Sequence, residues 1–209
     1  MKFLGFNKVL CLSPHPDDVE FGMMGTILKY TDTHFDILCL SSGGDFDTTT
    51  NENRLQEIKD VWLKQRNVSL HFTKLKLLKE LGHDAWVNFI ETLFTNKKEY
   101  DCLFVPTKED SHFEHKIVNE LAFPLTRIKS LGILEYRTPS TLDSWSPNTF
   151  VDVTDYFEEK YDKLMLFKSQ KDRWYFQEDL LKSFHSNFQS YKKGIKYTEK
   201  FKTVQLYKL

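Results

Sequence analysis

Cysteine is scarce in this sequence, long apolar runs are missing, and neither sign of charge is in surplus. Cys11, Cys39 and Cys102 are the only cysteines in 209 residues. They are odd in number, form no C-x-x-C pair and lie in or beside apolar runs, so they suit a reducing cytosol better than a disulfide framework. The longest apolar stretch near the start, Lys8 to Ser13, is too short for a signal-peptide core or a membrane span, and no small-residue cleavage site follows it. A soluble, cytoplasmic protein is expected. Lys plus Arg total 29 against 30 Asp plus Glu, a formal charge of -1, so the positive field that nucleic acid or anionic lipid would require is lacking. A net charge near zero permits a homo-oligomer without indicating one. No linker, repeat or low-complexity block breaks the chain, and 40% hydrophobic residues in this length suit one domain over residues 1–209.

What is present is an alternation of short apolar runs with helical spacing. Lys8 to Ser13, Phe35 to Leu40, Leu70 to Phe72 and Cys102 to Pro106 read as buried strands. Glu20 to Tyr30, Asn53 to Gln65 and Asp84 to Thr95 carry apolar residues three and four apart, as in Ile58, Val61 and Trp62. Strand alternating with helix predicts a Rossmann-like α/β fold, a mostly parallel sheet with helices on both faces. Beyond about residue 130, Leu131 to Arg137 and Thr149 to Val153 read as two more strands, and Thr154 to Gln189 as mostly helical. Tyr197 to Leu209 alternates weakly, as an edge strand or a surface-packed tail would.

In such sheets ligands bind beyond the carboxyl ends of the strands. The stretch SPHPDDVEFG, from Ser13, puts His15, Asp17 and Asp18 directly after the first strand. Ser41 to Thr50 and Thr107 to His115 should open on the same side. The latter carries His112 and His115, three apart at the start of a predicted helix and so on one face. His15, Asp18 and His115 together would offer two nitrogens and a carboxylate oxygen with positions left for water and substrate, a donor set that suits catalytic Zn²⁺ or Fe²⁺. Asp17 and His112 would then be free for proton transfer.

Other readings of the same residues are plain ones. An isolated Asp-Asp pair more often caps a helix. His34, His71, His83 and His185 have no such company and read as surface or packing residues. Gly43-Gly44 reads as a turn, since no fuller phosphate-loop signature surrounds it. Arg54 fits a clamp on a substrate phosphate or carboxylate and an ion pair, either at the surface with Glu57 or structural, equally well. Trp174, Tyr175, Phe176, Phe184, Phe188 and Tyr191 suit helix packing better than a sugar-stacking wall.

The motifs His15-Pro16-Asp17-Asp18-Val19-Glu20 and His112-Phe113-Glu114-His115 resemble those of the PIG-L/LmbE-type N-acetylglucosamine deacetylases. So do the Arg54/Glu57 pair, the Val151 to Gln170 segment ending in Ser-Gln, and the closing Tyr197, Glu199, Phe201 pattern. The resemblance implies that His15, Asp18 and His115 hold a divalent metal, zinc before iron, and that Asp17 is the general base. It implies further that His112 stabilises the oxyanion or protonates the leaving amine and that Glu114 orients His112; Arg54 is the candidate substrate-binding residue on its own chemistry. The implied reaction removes the N-acetyl group from an amino sugar in a glycoconjugate or nucleotide-linked precursor. Hydrolysis of another small N-acyl or N-formyl amide, and a non-catalytic sugar-binding relative, remain alternatives. The sequence departs from the pattern at Glu114 (usually Asp), Phe113 (Pro), Met24 (Gly) and Lys168 (His).

Overall fold

A computed structural model describes residues 1–43, 51–73, 78, 82–95, 100–126, 131–187 and 194–207. Its centre is a seven-stranded sheet built from β1 (Lys8–Ser13), β2 (His34–Cys39), β3 (Val68–Phe72), β4 (Cys102–Pro106), β5 (Gly132–Tyr136), β6 (Thr149–Asp152) and β7 (Thr198–Gln205), in the order β3-β2-β1-β4-β5-β7-β6. The first five positions are parallel, and β7 runs antiparallel to both β5 and β6. The helices are α1 (Asp18–Lys29), α2 (Asn51–Trp62), α3 (His83–Thr95), α4 (Phe113–Leu125), α5 (Phe157–Leu164) and α6 (Glu178–His185). No helix of the described residues is long and apolar enough to cross a membrane.

β1 and β4, in the middle of the sheet, read as nearly unbroken apolar runs because both of their faces are covered. Alternate side chains of β1, β2, β4 and β5 feed separate cores. Val9, Cys11, Phe35, Ile37, Cys102, Phe104 and Leu134 join one with α1, α2 and α5. Leu10, Leu12, Leu38, Leu103, Val105 and Ile133 join the other with α3 and α4. Burial pushes the thiols of all three cysteines well up, as for inert apolar packing groups.

Two sequence expectations are corrected here. The C-terminal segment is an interior strand, inserted between β5 and β6, and neither an edge nor a surface tail. It holds that position through side chains as well as its ladder. Glu199 accepts from the Gly25 and Thr26 amides of α1 (2.8 and 2.7 Å) and from the Lys160 ammonium of α5 (2.6 Å). The region from Thr154 is also less helical than expected. It holds two helices of eight residues, α5 and α6, with 3-10 turns at Thr154–Tyr156 and Trp174–Phe176. Of the sequence readings, Gly44 with the rest of the loop to Thr50, Phe188 and Tyr191 lie outside the described residues.

This order positions the site. β1 leads outward to β2 on one side, while β4 lies on its other side, so the sheet changes direction between β1 and β4. That crevice is where ligands bind in open α/β sheets. The turn after β1 and the segment after β4 both open into it.

Candidate active site

His15 and His115 come from the two sides of the crevice and meet at one carboxylate. Asp18 Oδ2 accepts from the His15 backbone amide (2.9 Å) and lies 3.1 Å from His15 Nδ1; its Oδ1 lies 3.3 Å from His115 Nε2. The remaining ring nitrogen of each histidine is held by another carboxylate. His15 Nε2 sits 2.6 Å from Glu114 Oε2, and His115 Nδ1 sits 3.0 Å from Asp110 Oδ2. Such carboxylate-histidine pairs fix ring orientation at metal centres and raise the basicity of the inward nitrogen. Thr138 Oγ1 donates to the same Asp110 oxygen (2.5 Å), so the loop after β5 helps to hold it.

The inward atoms, His15 Nδ1, Asp18 carboxylate and His115 Nε2, are the nitrogen and oxygen donors that Zn²⁺ or Fe²⁺ takes. The residues present therefore fit a divalent cation. His112 stands close too, since ring nitrogens of His15, His112 and His115 lie within 4.8 Å of one another. Its ring stacks on His115 with centroids 4.5 Å apart. Its Nδ1, however, accepts from the Glu114 backbone amide at 3.3 Å. A neutral imidazole that accepts at Nδ1 carries its proton on Nε2. His112 thus offers the cleft a donor, and not the lone pair that a metal ligand needs.

Charge is dense here. Burial raises the Asp17 carboxyl to about 6 against the pull of Arg54. It also favours neutral Asp18, yet His115 and His15 hold that carboxyl well below the usual range. Burial alone would lower both imidazoles, but hydrogen bonds to Asp18 and Glu114 lift His15 to about 9, and Asp18 with Asp110 lifts His115 to about 10. His112 is lowered by burial and by its two histidine neighbours. Beside the cluster, Glu20 is raised to about 7 by burial, against the Trp62 indole that donates to it at 2.6 Å.

Asp17 stands at the amino end of α1 with φ 121°, ψ -23°, a region that costs a non-glycine residue about 1–3 kcal/mol. Two contacts hold it there. Its amide donates to Glu20 Oε2 (3.1 Å), and its Oδ1 accepts from Arg54 Nη2 (3.1 Å). Arg54 also donates to the carbonyls of Pro16 (2.9 Å) and Gly43 (2.6 Å). Arg54 thus makes a structural ion pair, with Asp17, and the alternative pairing with Glu57 is corrected, because Glu57 accepts instead from the Ser169 amide (2.9 Å) and hydroxyl (2.6 Å). Gly43 has φ +64°, and a Cβ there would strike the Arg54 guanidinium. Gly43→Ala should cost about 1–2 kcal/mol and loosen Arg54. The expected outcome is a lower melting temperature and weaker turnover together, checked by thermal unfolding and steady-state rates.

A cavity of about 190 Å³ joins these groups, lined among others by His15, Asp17, Asp18, Arg54, His112 and His115. The sequence-predicted residues therefore meet, with one difference in detail. The Glu114 carboxylate reaches His15 and the Leu78 amide (2.9 Å), and its described bond to His112 runs through its backbone. The longer side chain can span from α4 to the β1 turn. Asp110 was not anticipated, although a carboxylate two residues before His112 in a ligand-bearing loop is a recognisable signal. Ser140, Arg173 and Tyr175 also line the cavity, the first from the loop after β5. Tyr175 thus stands at the site, whereas Phe176 is core. Of the two readings of His185, surface or packing, it takes the second: it is buried beside Lys160 Nζ (2.8 Å).

Known proteins share this architecture. Diacetylchitobiose deacetylase of Thermococcus kodakarensis is 25% identical over 87% of this chain and 77% of its own. The structure of N,N'-diacetylchitobiose deacetylase from Pyrococcus horikoshii, solved with an inhibitor, superposes with a TM-score of 0.76 at 23% identity, over 96% of this chain and 84% of that one. The 4-carboxy-2-hydroxymuconate hydratase GalB of Pseudomonas putida KT2440 gives 0.78 at 16% identity, over 100% and 98%. The fold alone therefore serves a hydratase as readily as a deacetylase. Residues 10–125, which contain every group that meets at Asp18, match the PIG-L profile, GlcNAc-PI de-N-acetylase. The chain belongs to the PIG-L family.

Proposed function

We propose that this protein hydrolyses the N-acetyl group of an amino sugar, with His15, Asp18 and His115 as ligands of one divalent cation. The observation that carries the reading is the division of labour in the cleft. Three donors converge on one point, while a carboxylate, Asp17, and an imidazole donor, His112 Nε2, line the same cavity outside that set. When bound, the cation would supply Lewis acidity towards the acetyl carbonyl and acidify a water molecule. Asp17 accepts the proton that water loses as the new C–O bond forms. Arg54 holds that carboxylate in position. His112 Nε2 donates a hydrogen bond to the oxygen on which negative charge develops, and the proton taken up by Asp17 passes to the departing nitrogen as the C–N bond breaks. One water is consumed, and acetate and a free amine leave.

The family assignment and the deacetylase names of the relatives support the amide as substrate. The site alone would also suit an N-formyl group. Acetate and formate release from N-acetyl- and N-formylglucosamine glycosides separates the two. Acetate release is expected, to be abolished by a chelator and restored by added Zn²⁺ or Fe²⁺. Turnover that survives complete chelation would remove the cation from the proposal, and inertness of the metal-loaded protein would remove the hydrolase.

A further inference from the structure

The catalytic cavity is small for the ligand. At about 190 Å³ it falls below the roughly 300–1,000 Å³ that a drug-sized ligand fills. A second depression of about 450 Å³ shares Pro139, Ser140 and Tyr175 with it and adds Trp174, which is 60% exposed. A third, of about 390 Å³, shares Leu142 and Asp143 with the second and ends at Arg137 and Lys200. The three follow one another along the loop after β5. An aromatic wall lies midway, and two cations lie at the far end.

Those cations are built in. The Arg137 guanidinium stacks 3.6 Å from the Phe184 ring centre, and Nη1 donates weakly to the Phe184 carbonyl at 3.4 Å. Its Nε is buried without a hydrogen-bond partner among the described residues, as is the indole N–H of Trp145, which lines the same cavity. Lys200 Nζ donates to the Ser186 carbonyl at 3.2 Å. Among the described residues, no carboxylate lies within ion-pair distance of either cation. Burial lowers both groups, and the guanidinium lowers the ammonium further, against Asp143 acting on Arg137. Two partly desolvated cations held together favour an anion, and a guanidinium that lines the cavity without a carboxylate partner suits the two oxygens of a carboxylate or phosphate.

We propose that Arg137 and Lys200 form an anion-recognition subsite at the far end of the catalytic groove, taking a carboxylate or phosphate carried by the aglycone of the substrate. The sugar end of this assignment rests on the amidohydrolase reading, while the anion end stands on its own geometry. The substrate would span the groove: acetamide at the Asp18 cluster, aglycone against Trp174 and Tyr175, charge at Arg137.

The test compares N-acetylglucosaminides of phenol, 4-hydroxybenzoate and 4-hydroxyphenylphosphonate on the metal-loaded protein. Arg137→Gln and Lys200→Gln should each raise KM for the charged glycosides by about tenfold, leave kcat nearly unchanged, and leave the phenyl glycoside untouched. The preferred charged compound identifies carboxylate or phosphate. Equal effects on all three glycosides, or none on any, overturn the subsite. Calorimetric binding of the same compounds is the independent readout. Arg137-dependent binding of a charged glycoside without acetate release would sink the hydrolase reading and keep the subsite. Acetate release with charge-blind binding would do the reverse. Should Arg137→Gln fail to fold, Lys200→Gln, at the half-exposed end of the pair, carries the comparison.

Discussion

Replacing Asp17 with asparagine is expected to lower kcat by about a hundredfold to ten-thousandfold while the protein keeps its full complement of metal. The size follows from the role proposed for this residue. Asp17 is the carboxylate of the cleft that lies outside the converging donor set, so its loss removes a proton acceptor and leaves the ligands intact. Asparagine is the informative substitution because the residue sits at φ 121°, where Asp and Asn are tolerated better than most side chains. The amide oxygen can still accept from Arg54, and the backbone bond to Glu20 does not involve the side chain. Asp18→Asn provides the contrast. Asp18 touches both His15 and His115, so its substitution should empty the site as well as stop turnover. Metal content by atomic emission and kcat from acetate release check the pair. If Asp17→Asn lost metal as completely as Asp18→Asn, Asp17 would be a ligand and its role as base would fall.

How far the sequence allowed this depends on where each contact is made. The bounds of β1 and β4 are as read from the apolar runs, because strands buried on both faces leave no polar interruption. β7 was obscured for the opposite reason. In TEKFKTVQ the inward positions include Glu199, whose burial depends on Lys160 and on α1, and no local pattern announces a charged residue as core. Lys160 likewise reads as the polar face of a short helix and is fully buried. At the site, His15, Asp17, Asp18, His112 and His115 were legible because residue type and loop position together restrict their chemistry. Their partners were less so. Arg54 reaches Asp17 only because α2 packs across the turn after β1, and its sequence neighbour Glu57 is drawn to Ser169, more than a hundred residues away. Glu114 reaches His15 through the docking of α4 on that turn, a tertiary contact that spacing within one motif cannot encode.

Glu199→Ala should be the most destabilising single change considered for this chain, at about 3–5 kcal/mol, or a fall in melting temperature of roughly 6–20 °C for a chain of this size. The substitution strands the Lys160 ammonium, whose remaining contacts are the Phe21 carbonyl (2.6 Å) and His185 Nε2 (2.8 Å). It also strips an acceptor from the Gly25 and Thr26 amides. Gly25 N–H and Phe21 C=O are i and i-4 partners of α1, so the cluster grips the helix whose amino end carries Asp17 and Asp18. Because Nε2 of His185 faces an ammonium, its proton belongs on Nδ1, which donates to the Leu181 carbonyl at 3.0 Å. Burial, and then Lys160, hold this imidazole well below 6.5. The unfolded chain therefore takes up a proton, as pH falls below about 6.5, that the folded chain refuses, and stability declines with acidification. Above that pH the contribution is complete. Lys160→Met with Glu199→Gln removes both charges together, so the double variant should regain much of the loss seen in Glu199→Ala and make the acid slope shallower without abolishing it, since the burial of His185 remains. Denaturant melts at pH 5 and 8 measure both effects. A Glu199→Ala shift no larger than the half kcal/mol or so typical of surface positions would show that the network does not anchor α1.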